Sequence, residues 1–262
     1  MNLLAVAVSG RGLVDPSEPV FGAGDEALLR GRAVFETTRV YDGRPFLLDA
    51  HLERMVASAA RTRLPAPDLA ACRELAALVV DAAGETELAL RFYWTAETLV
   101  ATCGPIDPDL EQVRARGVRL AVVHAWRGVS GRAKSMSYAD NMIASEDAIE
   151  RGADDALLVG ADGIVLEAPT ANIWWRTGDR LFTPSLELPI LAGVTRSLVL
   201  ELWRDPVDVG DHPLEHLLAA DEAFLTSSIR EVMPVCVIDE SEFSVGPAAL
   251  ALQAALRERA LT

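Results

Sequence analysis

The chain has 262 residues, half of them hydrophobic, enough to bury one large core or two modest ones. Its formal charge of −15 argues against nucleic acid or an anionic membrane as a partner, and no apolar run reaches the ~18–20 residues of a membrane span. The opening MNLLAVAVSGRG lacks a basic leader and does not read as a signal peptide, while Cys72, Cys103 and Cys236, far apart and in no metal spacing, fit a reducing cytoplasm and no metal site.

In chain order, LLAVAVSG reads as a strand. The β-branched run AVFETTRVY, within Arg30 to Tyr41, reads as another and is followed by the turn Asp42-Gly43. PFLLDAHLERMVASAARTRL begins extended and becomes an amphipathic helix over His51 to Arg63, stopped by Pro65 and Pro67. LAACRELAALVVDAAG is a helix ended by Gly84. ELALRFYWTA and ETLVATCG form a strand pair. The polar stretch Gly104 to Gly117, punctuated by Pro and Gly, reads as a domain linker. It predicts a small N-terminal α/β domain at 1–106, a linker at 107–117 and a larger domain at 118–262. In the larger domain VRLAVVHAW is a strand, RGVSGRAKS a basic Gly/Ser loop, and YADNMIASEDAIERG a helix closed by Gly152. DDALLVGADGIVLEA is a hairpin turning at Ala161-Asp162-Gly163, and NIWWRTGDRLFTP is a second hairpin. AGVTRSLVLELW opens a helix, and DEAFLTSS is a buried strand ending in hydroxyl residues. The fold class is α/β (α+β).

Of the 24 basic residues, 23 are arginine and one, Lys134, is lysine. Arginine supplies charge but forms no imine, because its guanidinium is never appreciably deprotonated; a lysine amine is, once its surroundings lower its pKa. Lys134 lies after a strand, in a Gly/Ser loop, before a helix. Pyridoxal 5′-phosphate chemistry would then need a carboxylate beside the pyridine nitrogen, and N–H groups, hydroxyls and an arginine around the phosphate. Glu167, a carboxylate in the apolar run IVLEA, either faces solvent or fills the first role. Gly193-Val194-Thr195, ahead of the apolar helix SLVLELW, is an ordinary N-cap or an anion site. Thr226-Ser227-Ser228 offers three hydroxyls, and Arg54 lies on the helix HLERM.

Taken together, these segments resemble the class IV aminotransferase family, which includes branched-chain aminotransferase, D-amino acid transaminase and aminodeoxychorismate lyase. GRAVFETTRVYDGRPFLLDAHLERM is similar to its opening signature, KSMSYADNMIASEDAIERGADDALLVGADGIVLEAPTANIWW to its core signature, and GVTR and FLTSSIREVMPV to its phosphate segments. The resemblance implies fold type IV, with two α/β domains, pyridoxal 5′-phosphate between them, and a homodimer acting on an amino acid and a 2-oxo acid. It implies that Lys134 is the Schiff-base lysine and proton shuttle, and that Glu167 pairs with the pyridine nitrogen. Arg54, Val194, Thr195, Ser227 and Ser228 would hold the phosphate, Tyr138 would donate to the ring O3′, and Asn172 would match the family asparagine of N-I-F. The family's usual Asn before the tyrosine is Ser137 here, and Trp174 replaces the Phe.

The branch is read from carboxylate traps. After ELALRFYWTAE there is no Arg-x-His, and the Gly-hydrophobic-Arg of branched-chain enzymes is replaced by Glu36-Thr37-Thr38-Arg39. Phe35-Glu36-Thr37 resembles aminodeoxychorismate lyases, where a threonine in the place of Thr37 assists catalysis. Arg91 lies mid-strand among apolar residues, where an arginine is either paired or meets a ligand carboxylate. Arg30, Arg32, Ile229 and Arg230 complete the expected substrate contacts, unless the arginines are surface residues. D-amino acid transamination with a 2-oxo acid ranks first, aminodeoxychorismate lysis second, and branched-chain L-amino acid or (R)-amine transamination third. A non-catalytic ligand-binding relic is the alternative from another class; retention of Lys134 with Glu167 speaks against it.

Overall fold

Two sheets organise the residues that this computed structural model describes, 2–125 and 131–262. The expected Gly/Ser loop ahead of Lys134 falls, at 126–130, outside the described residues. The chain divides into two compact units: Met1–Asp107 with Arg132–Tyr138 and Leu261, and Pro108–Gly131 with Ala139–Ala260 and Thr262.

The first unit carries β1 (Ala5–Val8), β2 (Gly12–Val14), α1 (Glu26–Arg30), β3 (Val34–Tyr41), β4 (Arg44–Pro45), α2 (Leu48–Arg61), α3 (Leu69–Ala83), β5 (Leu88–Trp94) and β6 (Leu99–Pro105). Its sheet runs β2-β1-β6-β5-β3-β4, antiparallel at every pairing. Strand side chains alternate between faces. Val34 and Val40 of β3, Leu88, Leu90 and Phe92 of β5, and Ala101 and Cys103 of β6 share the face that packs with Leu52 and Met55 of α2 and Leu75 and Val79 of α3. The opposite face carries Phe35 and Thr37 of β3 with Arg91 and Tyr93 of β5, all half-buried. The helix read over His51 to Arg63 begins one turn earlier and stops at Arg61. Its end is closed by the Thr62 hydroxyl, which donates to the Ser58 and Ala59 carbonyls, and by Arg63 at φ 60°, before either proline is reached. The helix α3 runs from the Asp68 cap to Gly84, at φ 67°.

The second unit carries α4 (Leu110–Arg116), β7 (Val118–His124), α5 (Ala139–Glu150), β8 (Asp155–Val159), β9 (Asn172–Thr177), β10 (Arg180–Pro184), α6 (Val194–Leu202), β11 (Val207–Gly210), α7 (Leu214–Leu218), β12 (Glu222–Ser227), β13 (Glu231–Ile238), β14 (Ser241–Glu242) and α8 (Pro247–Leu261). Its sheet runs β11-β10-β9-β12-β13-β7-β8, with β14 on β13. The second expected hairpin is β9–β10. The segment read as a linker, 107–117, holds α4, because Leu110 and Arg114, one turn apart, both face inward and are buried. Arg132–Tyr138, placed by the sequence reading in the larger domain, packs instead with the first unit. There Phe35 N–H donates to the Lys134 carbonyl (3.0 Å) and Met136 N–H to the Ala33 carbonyl (2.8 Å). Among the described residues no helix is long and apolar enough to cross a membrane, and no three His, Cys, Asp or Glu side chains gather as a metal site.

Candidate active site

On the first unit, Lys134 flanks a short antiparallel bridge between Ser135 and Val34, at the start of β3. Its backbone N–H donates to Ser58 Oγ on α2 (3.1 Å), and its Nζ lies 4.4 Å from the centroid of the Phe35 ring. The Tyr138 ring meets Phe35 edge-on at 5.5 Å. Ser137 Oγ donates to the Gly31 carbonyl (3.1 Å), which ties the lysine segment to the end of α1. One register position along the same sheet face, Thr37 stands opposite Arg91, and Arg91 opposite Thr102. Lys134, Phe35, Tyr138, Thr37 and Arg91 are thus brought to one side of this sheet.

Beneath it, on the helix-covered face, Glu36 is fully buried. Arg54 grips it through Nε (2.8 Å) and Nη2 (2.7 Å), and His51 Nδ1 lies 2.9 Å from its Oε2. Burial pushes the Glu36 carboxyl up, but the adjacent Arg54 charge and the hydrogen bonds from Arg54 and His51 outweigh it and hold the pKa at about 2. Burial lowers the His51 pKa despite Glu36, so the ring is neutral and donates its Nδ1 proton to the carboxylate. Arg54, expected at the phosphate, therefore has one guanidinium edge committed to Glu36. Nothing in the sequence alone pairs Glu36 with His51. The available signal was a carboxylate in the middle of a β-branched strand.

Two further arginines expected at the substrate, Arg30 and Arg32, make other contacts within this unit. Arg30 pairs with Glu26 on the exposed side of α1, and Arg32 Nη2 donates to the Arg63 carbonyl (2.8 Å) at the end of α2.

On the second unit, Glu167 is 4% exposed. Leu158 on β8 faces two residues: it accepts from Leu166 N–H (3.0 Å) and donates to the Glu167 carbonyl (2.9 Å). That is a bulge, which re-aims a side chain out of strict alternation. The segment read as the strand IVLEA is accordingly broken into isolated bridges. The Glu167 carboxylate accepts from Asn172 Nδ2 (2.9 Å) and from Leu191 N–H (3.1 Å), and Asn172 Nδ2 also donates to the Leu191 carbonyl (2.9 Å). A Cβ on Gly193, the N-cap of α6, would run into Asn172 Oδ1 and force the asparagine to shift. Val194 and Thr195 form the buried first turn of α6. Arg196, next in the turn, is buried, donates to the Pro184 carbonyl (3.0 Å) and lies over the Trp174 ring at 5.7 Å; burial lowers its pKa and the Glu167 charge works the other way.

Thr226 stands opposite Asn172 across β12 and β9, and its hydroxyl accepts from Trp174 Nε1 (3.0 Å). Ser227, Ser228, Ile229 and Arg230 follow in the half-buried turn to β13. Ser227 Oγ accepts from Arg230 N–H (3.3 Å). The Arg230 guanidinium, expected at a substrate carboxylate, pairs in this chain with buried Asp155 (2.9 Å), which Ser145 also bonds (2.8 Å).

The family model for amino-transferase class IV matches residues 33–238, which include Lys134, Thr37, Arg91, Glu167, Asn172, Thr226, Ser227 and Ser228. The chain belongs to the class IV aminotransferases. It is 29% identical over 270 residues to the aminodeoxychorismate lyase of Bacillus subtilis, covering 95% of this chain and 92% of that one. It is 32% identical over 227 residues to the bifunctional aminodeoxychorismate lyase / D-amino acid transaminase of Mycobacterium tuberculosis, covering 77% and 78%. Among solved structures, the PLP-bound form of a hypothetical aminotransferase from Mycobacterium tuberculosis superposes with a TM-score of 0.92 at 28% identity, covering 98% and 99%. A form of that aminotransferase bound to α-ketoglutarate and PMP gives 0.91. The fold is that of the fold type IV aminotransferases, and the enzymes of this family depend on pyridoxal phosphate.

Proposed function

We propose that this chain is a pyridoxal phosphate-dependent transaminase that exchanges the amino group of a D-amino acid with a 2-oxo acid, with Lys134 holding the cofactor. The observation that carries this reading is the row on the first sheet. Arg91 stands opposite Thr37, on the face where the Lys134 amine sits over Phe35. A reactive amine and a carboxylate-binding cation on one face suit an amino acid, whose α-carboxylate an arginine grips with two parallel hydrogen bonds. The residues on the second unit fit the cofactor. A buried, doubly bonded carboxylate suits a protonated ring nitrogen, and a glycine-capped helix start and a hydroxyl turn suit a phosphate.

Bound pyridoxal phosphate supplies an electron-accepting ring that stabilises the charge left when a substrate Cα loses its proton. The chain's own groups do the rest. The Lys134 amine takes that proton and returns it. Glu167, oriented by Asn172, keeps the ring nitrogen protonated. The N–H groups of Val194 and Thr195, the hydroxyls of Ser227 and Ser228, and the Arg54 charge bind the phosphate, and Tyr138 donates to the ring hydroxyl oxygen. In the family resemblance, docking of the α-carboxylate on the O3′ side goes with D substrates, and the Arg91 strand is similar to the one lining that side. A relative from Mycobacterium tuberculosis has a name that joins aminodeoxychorismate lyase and D-amino acid transaminase, the two reactions weighed for this chain.

Aminodeoxychorismate lysis is the second reading, favoured by Thr37 beside Arg91. One assay separates the two. The wild type is expected to convert D-alanine or D-glutamate with a 2-oxo acid, and Arg91→Leu to raise KM by roughly ten- to a hundredfold with the PLP absorbance intact, the loss of one charge-assisted contact. Turnover of L-amino acids alone, or an unchanged KM, would refute the D-specific reading. Pyruvate release from aminodeoxychorismate without an acceptor would put the lyase first.

A further inference from the structure

The turn between β12 and β13 carries a glutamate where its geometry favours glycine. Ser227 and Glu231 are its last paired residues, so Ser228, Ile229 and Arg230 form a three-residue hairpin loop. Such loops commonly end on a residue in the left-handed region, the conformation glycine adopts without cost. Glu231 holds that position at φ 56°, with a side chain that is buried. A buried carboxylate on a strained backbone persists only where its surroundings over-determine it.

Here they do. Glu231 Oε2 accepts from Arg114 Nη2 on α4 (2.7 Å), from Gln253 Nε2 on α8 (2.6 Å) and from Arg257 Nη2 (3.0 Å). Arg114 Nη1 donates to the carbonyls on either side of Glu231, those of Arg230 (2.7 Å) and Val232 (3.0 Å). Gln253 Oε1 accepts the Val232 N–H (3.0 Å). Three consecutive residues are thus gripped from two helices, while Ser227 Oγ closes the loop from its other end. Turning Glu231 back to an ordinary φ would swing the Arg230 peptide and carry the loop with it.

We propose that Glu231, locked by Arg114 and Gln253, is a positioning residue that sets the Ser227–Ser228 turn to receive the cofactor phosphate. The proposal rests on the reading of Ser227 and Ser228 as phosphate donors. It is tested by titrating the apoenzyme with pyridoxal phosphate and, separately, with pyridoxal, which lacks the phosphate. Glu231→Gln is expected to weaken pyridoxal phosphate binding about tenfold and leave pyridoxal binding unchanged. Should that variant not fold, Gln253→Met, which removes both bonds of Gln253 at similar size, is expected to give the same selective loss. Equal weakening of both ligands, or weakening of neither, would overturn the proposal. Ser228→Ala separates the two levels. If it keeps the full preference for pyridoxal phosphate, the phosphate reading falls and this proposal with it. If it loses that preference while Glu231→Gln and Gln253→Met retain theirs, this proposal alone falls.

Discussion

At the scale of single residues, Glu167 owes its burial to a local irregularity. In a regular strand its side chain would alternate with its neighbours; the bulge opposite Leu158 leaves both Leu166 and Glu167 buried. Its carboxylate is then costly to bury without partners, and Asn172 and Leu191 N–H supply them. Glu167→Gln keeps the shape and can still accept from one donor, so the variant is expected to fold and bind pyridoxal phosphate. Replacing one charge-assisted hydrogen bond to the ring nitrogen should cost roughly 1.5–3 kcal/mol, about ten- to a hundredfold on the half-reaction that moves the Cα proton. Stopped-flow rates for that half-reaction equal to those of the wild type would show that Glu167 does not serve the ring. Single arginines were less informative in the sequence than single carboxylates. The Arg230 guanidinium pairs with Asp155, 75 positions away, a contact that no local pattern announces.

At the scale of elements, β3 and α2 are joined by the buried Glu36–Arg54–His51 group, and acid should loosen that joint in two steps. The His51 pKa is lowered in the folded chain, so its contribution to stability is present above the unfolded value of ~6.5 and is lost as pH falls below it. The Glu36 pKa is held at about 2, so its contribution is present above the unfolded value and is lost as pH falls from there toward about 2. Thermal unfolding midpoints are expected to drop between about pH 7.5 and about pH 5, and to drop less in His51→Asn, which keeps a donor toward Glu36 but does not titrate. An equal drop in both proteins would place the acid sensitivity elsewhere. Much at this scale was readable in advance. The strands β3 and β5, the Gly84 stop and the β9–β10 hairpin all rest on local patterns that the structure retains. The helix α4 was not readable, because Arg114 among Pro and Gly reads as surface charge until Glu231 joins it from 117 positions away. The start of α2 was misplaced because Leu47, at φ 52°, makes the entry turn without any capping side chain.

At the scale of the whole molecule, the chain carries exposed apolar side chains that its own units leave uncovered, Leu28 and Leu29 on α1 and Met142, Ile143 and Ile149 on α5. With the family's implied homodimer, these predict a dimer in sedimentation; a stable, active monomer at assay concentration would contradict it. One amine in 262 residues is expected to carry the chemistry. Because Lys134 is the only lysine, the N-terminus is the sole competing amine for covalent attachment of the cofactor. The most direct measurement is therefore reduction of the holoenzyme with borohydride, followed by peptide mapping by mass spectrometry. The yellow absorbance is expected to bleach and the phosphopyridoxyl group to be found on Lys134, with neither signal in Lys134→Arg, which retains the charge but cannot form the imine. A label confined to the N-terminal peptide, or a Lys134→Arg protein that keeps the visible band and turns over amino acids, would contradict the account.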